Sequence, residues 1–385
     1  RAILGAIPYA AEDDDLSEYF PLWGPAKPLP PLSENAKRIL DAYERHRVEV
    51  RRRGVLLGRA RLALQSDRCV SCGLCMTGCP YSFVYSASQT FDDLVRDGRI
   101  EYTSGHVALR VGEEDGRPFV NARSLESGRV DTFFADKVLL ACGALGTTRL
   151  VAQSLRLWST RIHIRESAQF LAPLVSLRGV KRLTQDGTFT LNQFNILLPF
   201  DEVGHDLVEI HGYPYNQAID DALPGVLRRP ELRFLRSQIL KHLTVGIGYL
   251  PSWWSPGFNV IVAPPESDNA LAGLTIAPSG SSSLAEAKVR EVVRRLARSA
   301  RYLGWAPVGP QFVLSAPGKS YHFGGSFPHA ASPTDLESDV EGRLNAWRHI
   351  HLVDASVFPT VPVTTFTLSI MANAHRIARG IAERA

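Results

Sequence analysis

Asp136-Lys-Val-Leu-Leu-Ala-Cys-Gly-Ala-Leu-Gly-Thr-Thr-Arg-Leu-Val151 decides the fold class of this chain. Val138–Ala141 is an apolar run of strand length and is expected to be buried. Gly143 and Gly146 make a small-residue turn, and Thr147 and Thr148 begin a helix. A strand that enters a glycine turn and leaves as a helix belongs to α/β folds, and it presents backbone N–H groups to a phosphate or a ring. The glycine spacing alone is a weak signal, because any strand-to-helix turn favours glycine.

Toward the C-terminus the α/β character returns over residues 318–385. The segment His351-Leu-Val-Asp354-Ala-Ser356-Val-Phe-Pro359-Thr360 reads as an apolar strand ending in Asp354. A turn with Pro359 and Pro362 follows, then a helix from about Thr367 to Ala385 whose first turn is small and hydroxylic. The helix start offers free N–H groups and a partial positive charge to an anionic group. Residues 160–270 have another texture: strand-like segments alternate with polar turns, which predicts an antiparallel sheet. Helices are predicted over 33–53, with Ser33 as N-cap, over 86–96 and over 283–303. Glu114-Asp115-Gly116 signals a hairpin turn, and the acidic, proline-rich residues 1–35 read as an extended segment. The fold class is therefore α/β in a mixed α+β arrangement. A discontinuous domain of residues 1–153 and 318–385 is expected beside a domain of residues 154–317 built on the antiparallel sheet.

The chain has 385 residues, 45% hydrophobic and 21% charged, the composition of a globular protein with a substantial core. Its net charge is +4, and the basic stretch Arg45–Arg53 lies in a predicted amphipathic helix. That suits a solvated helix face and argues against nucleic acid as a partner. No run of 18 apolar residues predicts a transmembrane span, and no signal peptide is visible, although the sequence starts at Arg1.

Four of the five cysteines, Cys69, Cys72, Cys75 and Cys79, fall within eleven residues and are followed by Pro80. The spacing C-x2-C-x2-C-x3-C-P is that of a bacterial ferredoxin. Cysteines three apart on a tight loop seldom reach the geometry of a disulfide. An iron–sulfur cluster is the first reading of the loop at 67–81. Free thiols shaping a loop are the second, and zinc, which usually takes two separated cysteine pairs, is the third. Within the first reading a four-iron cluster stands ahead of a three-iron one. Cys79 or an outside thiol, of which Cys142 is the only one, supplies the fourth ligand. Clustered cysteines point to a reducing compartment, hence the cytoplasm.

Taken together, G-K-S-Y-H-F-G-G (318–325), H-L-V-D-A-S-V-F-P-T (351–360) with its downstream helix, and A-D-K-V-L-L-A-C-G-A-L-G-T-T-R-L (135–150) resemble the glucose–methanol–choline (GMC) flavin oxidoreductases. The cysteine loop is similar to a Cys-rich segment in some branches of that family. The resemblance runs in order from roughly residue 60 to 385 and is thin over 155–315. It implies a Rossmann-like FAD-binding domain, a substrate domain, and oxidation of an alcohol to a carbonyl with hydride passing to FAD. His322 falls at the family's active-site histidine, and a neutral imidazole there takes the hydroxyl proton. Asp354 and Ala355 are implied to approach the diphosphate and ribityl chain, and Thr365, Phe366 and Thr367 the flavin ring. Val107 is implied to meet the adenine half, with Ala141, Gly143 and Ala144 along the same cofactor.

Two departures stand out. Eleven residues after Asp354, where the family usually has a second His or Asn, stands Thr365. It can share one hydrogen bond but cannot hold a proton as imidazole does. His329 is a reserve, read first as a surface histidine. The family's N-terminal G-x-G-x-x-G is also absent, so either about a hundred residues typical of part of a domain precede this sequence, or the flavin site is half built.

The leading expectation is a dehydrogenase whose electrons leave through the cluster to a one-electron acceptor protein. Its rivals are an oxidase with structural cysteines and a non-catalytic electron-transfer or binding subunit. The substrate is expected to be a small-molecule alcohol, a sugar, sterol or other ring alcohol. Trp253, Trp254, Tyr213, Tyr215 and Tyr249 are candidate lining residues.

Overall fold

The computed structural model describes residues 7–22, 24–181, 183, 187–201, 206–221 and 223–384. Residues 1–6 and 23 of the expected extended segment, and residue 385 of the expected last helix, lie outside them.

Along the chain come α1 (Glu34–Arg45), α2 (Arg47–Arg51), β1 (Leu56–Arg59) and α3 (Ala87–Arg96). Next are β2 (His106–Glu114), β3 (Arg117–Ser124), β4 (Val130–Phe134), β5 (Val138–Leu140) and α4 (Ala144–Ser154). Then follow β6 (Arg161–Glu166), β7 (Gln169–Ser176), β8 (Phe194–Pro199), β9 (Leu207–Tyr213), α5 (Gln217–Asp221), α6 (Arg233–His242) and β10 (Leu243–Tyr249). The chain closes with β11 (Phe258–Ala263), β12 (Gly273–Pro278), α7 (Ser283–Leu303), β13 (Trp305–Pro307), β14 (Phe323–Gly324), β15 (Ile350–Leu352) and α8 (Thr367–Ala382).

Local chemistry accounts for most of these elements. Ser33 caps α1 through its hydroxyl, which accepts the Ala36 N–H at 3.3 Å. Ala36, Ile39, Ala42 and Tyr43 then bury one face. The predicted helix over 33–53 breaks at His46, whose backbone leaves helical values, so two helices stand in its place. Ser86 caps α3 in the same way. Asp115 and Gly116 both take positive φ, as a two-residue hairpin requires, and Glu114 pairs with Arg117 across them.

The chain divides into two compact units. The first comprises residues 1–97, 169–250 and 285–315; the second comprises 98–168, 251–284 and 316–385. This grouping crosses the expected boundaries: residues 1–97 group with the middle of the chain, and residues 154–168 and 251–284 with its end. The cause is pairing register. The stretch 160–270, expected to form an antiparallel sheet, supplies β6 to one unit and β7 to the other.

The first unit is organised by a six-stranded sheet of order β1-β8-β9-β10-β7-β13, antiparallel throughout. One of its faces is apolar, with Phe194, Ile196, Leu198, Val208 and Ile210 buried. Two cross-strand pairs on that face join a phenylalanine to a glycine, Phe194 with Gly212 and Phe170 with Gly248. Each ring fills the space a second side chain would need. The opposite face carries Asn195, Glu209 and His211.

The second unit holds the antiparallel sheets β2-β3-β4 and β12-β11-β6-β14 and the parallel pair β5–β15. Its core packs Leu150 and Val151 of α4 with Ile162, Ile164, Phe258, Val260, Ile350 and Leu352. The strand expected to be buried over Val138–Ala141 ends at Leu140 and is covered on one side only. Val138 and Leu140 are buried, while Leu139 is 47% exposed.

A Cβ at Gly212 would lie 2.2 Å from the Phe194 ring. Gly212→Ala is therefore expected to destabilise the first unit by about 1–3 kcal/mol through overpacking, read as a lower midpoint in urea unfolding at unchanged slope.

Candidate functional site

The parallel pair β5–β15 places two turns of the second unit side by side. After β5, Ala141, Cys142 and Gly143 are exposed. Gly143 has φ +76 and open space where a side chain would stand, and α4 starts at Ala144 with no side-chain cap. After β15 comes Asp354, which is buried. One of its carboxylate oxygens accepts the Thr147 hydroxyl, and the other accepts the Ser356 N–H at 2.9 Å. Asp354 thus ties the start of α4 to the turn that follows β15. Both of its oxygens are used within the protein.

His322 sits just before β14, and its position is set by backbone bonding. Its carbonyl accepts the Ser167 N–H at 2.9 Å, and its N–H donates to Ser320 Oγ at 3.1 Å. The loop before it is held by Glu166, a buried residue the sequence reading passed over. The Glu166 carboxylate accepts the Gly318 N–H at 2.9 Å and the Ser320 N–H at 3.2 Å. A buried carboxylate costs several kcal/mol unless it is hydrogen-bonded, and these backbone donors meet that need. The signal available in sequence was only an acidic residue at the end of an alternating strand.

Beyond His322 the chain is joined to the Asp354 turn by backbone hydrogen bonds. Gly325 N–H donates to Ala355 O at 2.9 Å, Phe327 N–H to Ser356 O at 2.8 Å, and His329 N–H to Val357 O at 2.8 Å. A Cβ at Gly324 would lie 2.3 Å from Ala355 O, so only glycine permits this approach.

The third part is the start of α8. Its N-cap, Phe366, makes no side-chain cap, and Thr365 and Thr367 beside it are exposed. The Phe366 ring meets His322 edge-on at 5.6 Å between centroids and Phe358 at 6.1 Å. Ala144, Ala355, Val361 and Phe366 form one buried apolar cluster, against which Phe323, Phe358 and Ile370 pack. The structure therefore gathers Ala144, Ala355, Phe366 and His322, with Gly143, Asp354, Thr365 and Thr367 adjoining in sequence. Val107 stands in β2, opposite Arg123 of β3, and is not part of this cluster.

His329 is half-buried and not a surface histidine. Its Nδ1 lies 2.6 Å from Asp339 O, and its Nε2 lies 3.3 Å from Asn373 Nδ2 on α8. Of the five aromatic candidates, Tyr213, Tyr215 and Tyr249 belong to the first unit and Trp253 and Trp254 to the second.

The cysteine loop lies in the first unit. Cys69, Cys72, Cys75 and Cys79 all line one small cavity, with Leu64, Phe83, Val84 and Phe189 as apolar walls. All four are free thiols. The Phe83 N–H donates to Cys79 Sγ at 3.3 Å. Burial pushes the Cys79 thiol up, but backbone N–H groups of Val84, Phe83, Tyr81 and Ser82 outweigh it and hold the thiol below its usual range. Thr190, fully buried, holds the loop from below: its hydroxyl donates to Gly73 O at 2.9 Å and accepts the Cys75 N–H at 3.3 Å. Among the described residues, no group of three or more His, Cys, Asp or Glu side chains could hold a metal ion. Zinc needs four sulfurs about 2.3 Å from one centre, and the thiols are not so placed. Metal ligation by Cys69, Cys72, Cys75 and Cys79 therefore finds no support in a converged donor set.

Two solved structures share this fold: pyridoxine 4-oxidase from Mesorbium loti and an FAD-dependent oxidoreductase from Chaetomium thermophilum. The first is 14% identical, with a TM-score of 0.61 over 98% of this chain and 72% of that one. The second is 11% identical, with a TM-score of 0.63 over 97% of this chain and 77% of that one. At such identity the likeness is one of fold, and it agrees with the resemblance drawn from the motifs. No family model and no curated protein matches the chain. Among the described residues no helix is long and apolar enough to cross a membrane.

Two predictions follow from the second unit. Glu166→Ala leaves backbone donors of the 318–320 loop buried without an acceptor, at a cost of about 1–3 kcal/mol, read as a lower Tm. The second concerns pH. Burial holds His163, His329 and His351 below the ordinary imidazole value. The unfolded chain then binds more protons than the folded one as pH falls below about 6.5. His106, raised by its hydrogen bonds to Ser104 and Asp131, acts in the opposite sense, but it is one group against three. Stability is expected to fall between pH 7 and pH 5.5, and a flat Tm over that window would refute the burial of these rings.

Proposed function

We propose that this chain oxidises an alcohol to a carbonyl with FAD, and that His322 accepts the proton of the substrate hydroxyl. The observation that carries the reading is the His322–Phe366 contact at the uncapped start of α8, beside the open turn at Ala141–Gly143. FAD, when bound, supplies a two-electron acceptor for hydride. Ala141, Gly143 and Ala144, with Asp354 and Ala355, would hold its diphosphate and ribityl part. Thr365, Phe366 and Thr367 would hold the ring, and Val107 the adenine half. The open backbone at Gly143 and the uncapped helix starts suit an anionic group.

His322 does the proton work on this reading. A neutral imidazole titrates in the range needed to take a hydroxyl proton. Phe366 fixes one edge of the ring, and the loop held by Glu166 fixes its backbone. Thr365 can orient a hydroxyl by one hydrogen bond but holds no proton. The residues proposed to hold FAD all lie in the second unit, and the substrate is a small-molecule alcohol such as a sugar, a sterol or another ring alcohol.

The cysteine loop extends the proposal. Four free thiols on one apolar cavity, with backbone N–H groups turned to Cys79, suit an iron–sulfur cluster, whose potential such N–H groups tune. In a cluster each thiolate binds a different iron, so the sulfurs need not meet at one centre. A cluster, when bound, supplies a one-electron carrier toward an acceptor protein, and free thiols suit a reducing compartment such as the cytoplasm. An oxidase with structural cysteines is the second reading. It is favoured by the oxidase among the structures of like fold.

An anaerobic absorbance spectrum, with iron, sulfide and released-flavin assays on the same sample, decides between them. Flavin with stoichiometric iron and sulfide supports the dehydrogenase. Flavin alone, with peroxide formed on substrate, selects the oxidase. A protein without flavin ends both. In the flavin-loaded enzyme, His322→Ala is expected to lower kcat by about 10²–10⁴-fold with flavin content unchanged.

A further inference from the structure

Helix α6 of the first unit turns its apolar residues outward. A surface helix ordinarily packs its apolar stripe on the core and gives its polar face to water. In α6 only Leu240 is buried, while Phe234 is 77%, Leu235 48% and Ile239 37% exposed. Leu235 and Ile239 are four apart and so are neighbours on one face. The loop after β7 brings a fourth apolar side chain to the end of this helix. Val180 N–H donates to Lys241 O at 2.9 Å, and His242 Nδ1 lies 2.7 Å from Ser176 O. Gly179 approaches the His242 ring so closely that a Cβ there would lie 2.7 Å from its Nε2. Leu177, between these anchors, is 93% exposed. The helix and this loop belong to the same unit.

The charges around the patch are of one sign. Residues 225–242 hold five basic residues, Arg228, Arg229, Arg233, Arg236 and Lys241, against one acid, Glu231. Arg236 pairs with Asp220 at 3.4 Å. Arg228, Arg229 and Arg233 are exposed, as is Arg178 beside Leu177, and none of the four joins an ion pair among the described residues. Exposed apolar side chains rimmed by cations mark a surface that something of opposite charge covers. A second copy is a poor occupant, because an isologous pairing of this patch sets its arginines against their own counterparts. A polyanion with no apolar phase would meet the arginines and leave Phe234 and Leu177 in water. An anionic lipid surface satisfies both. Apolar side chains on one side of a helix with Arg and Lys at its margins are the arrangement of a helix lying in a membrane interface. The ten residues of α6 span about 15 Å, half of a hydrocarbon core of about 30 Å, so the helix lies along the bilayer and does not cross it.

We propose that α6 and Leu177 form a membrane-docking patch for anionic lipid. Phe234, Leu235, Ile239 and Leu177 enter the boundary between headgroups and acyl chains, and Arg178, Arg228, Arg229 and Arg233 meet the lipid phosphates and carboxylates. The patch does not depend on the alcohol-oxidation reading.

Co-sedimentation of the full chain with vesicles tests this. The probes are vesicles of phosphatidylcholine alone and vesicles in which about one-third of the lipid is phosphatidylserine, at physiological ionic strength. Binding to the anionic vesicles is expected to be tighter by about tenfold or more. Phe234→Ser and Arg229→Glu should each weaken it by about tenfold, with Tm unchanged because both side chains are exposed. Arg298→Glu, the same charge change at an exposed position of α7, should leave binding as it is. No binding to either vesicle, equal binding to both, unchanged binding in the two patch variants, or an equal loss in Arg298→Glu overturns the proposal. A dimer seen by sedimentation velocity without lipid and dissolved by Phe234→Ser, with no vesicle binding, overturns it in favour of a second copy. The assay reads no flavin chemistry, so its failure leaves the enzymatic reading standing, and loss of that reading leaves the patch.

Discussion

The backbone ladder between Gly325–His329 and Ala355–Val357 is the interaction on which the site of the second unit depends. It exists because Gly324 lets the chain pass within touching distance of Ala355 O, where any Cβ would collide. Main-chain hydrogen bonds are short and directional, so the ladder transmits position from one turn to the other. Through it His322, thirty-two residues upstream of Asp354 in sequence, takes a fixed place beside the turn that follows β15.

Carboxylates placed inside the protein do the rest of the positioning. Asp354 joins two turns through Thr147 and Ser356, and Glu166 gathers the N–H groups of the loop before His322. In each case the negative charge is met by donors that the fold has already ordered, so the desolvation cost is offset locally. Glu209 is met by side chains instead: one oxygen accepts the Asn195 NH2, and the other lies 3.3 Å from His211 Nε2.

The cysteine loop shows the reach and the limit of a spacing argument. The pattern singled out four cysteines on one loop, and the fold adds the apolar walls, the N–H groups facing Cys79 and the Thr190 clamp. Thr190 is 115 residues from Cys75 in sequence. No local pattern could have shown that its hydroxyl would meet this loop.

Sequence by itself determined what depends on neighbours along the chain. Ser33 and Ser86 as caps, the Asp115–Gly116 hairpin, the long helix at 283–303 and the change to an antiparallel texture after residue 160 all follow from side chains a few residues apart. Helix caps, turn geometry and strand alternation are local, so they can be read locally. Only the tertiary structure decided which strands paired: that 161–176 would be shared between two units, that residues 1–97 would join the middle of the chain, and that α1 would stop at His46. It also decided the roles of Glu166, Thr190 and Glu209, whose partners are remote. Pairing and burial are properties of the whole chain, because a buried polar group is stable only where distant segments bring its donors and acceptors together.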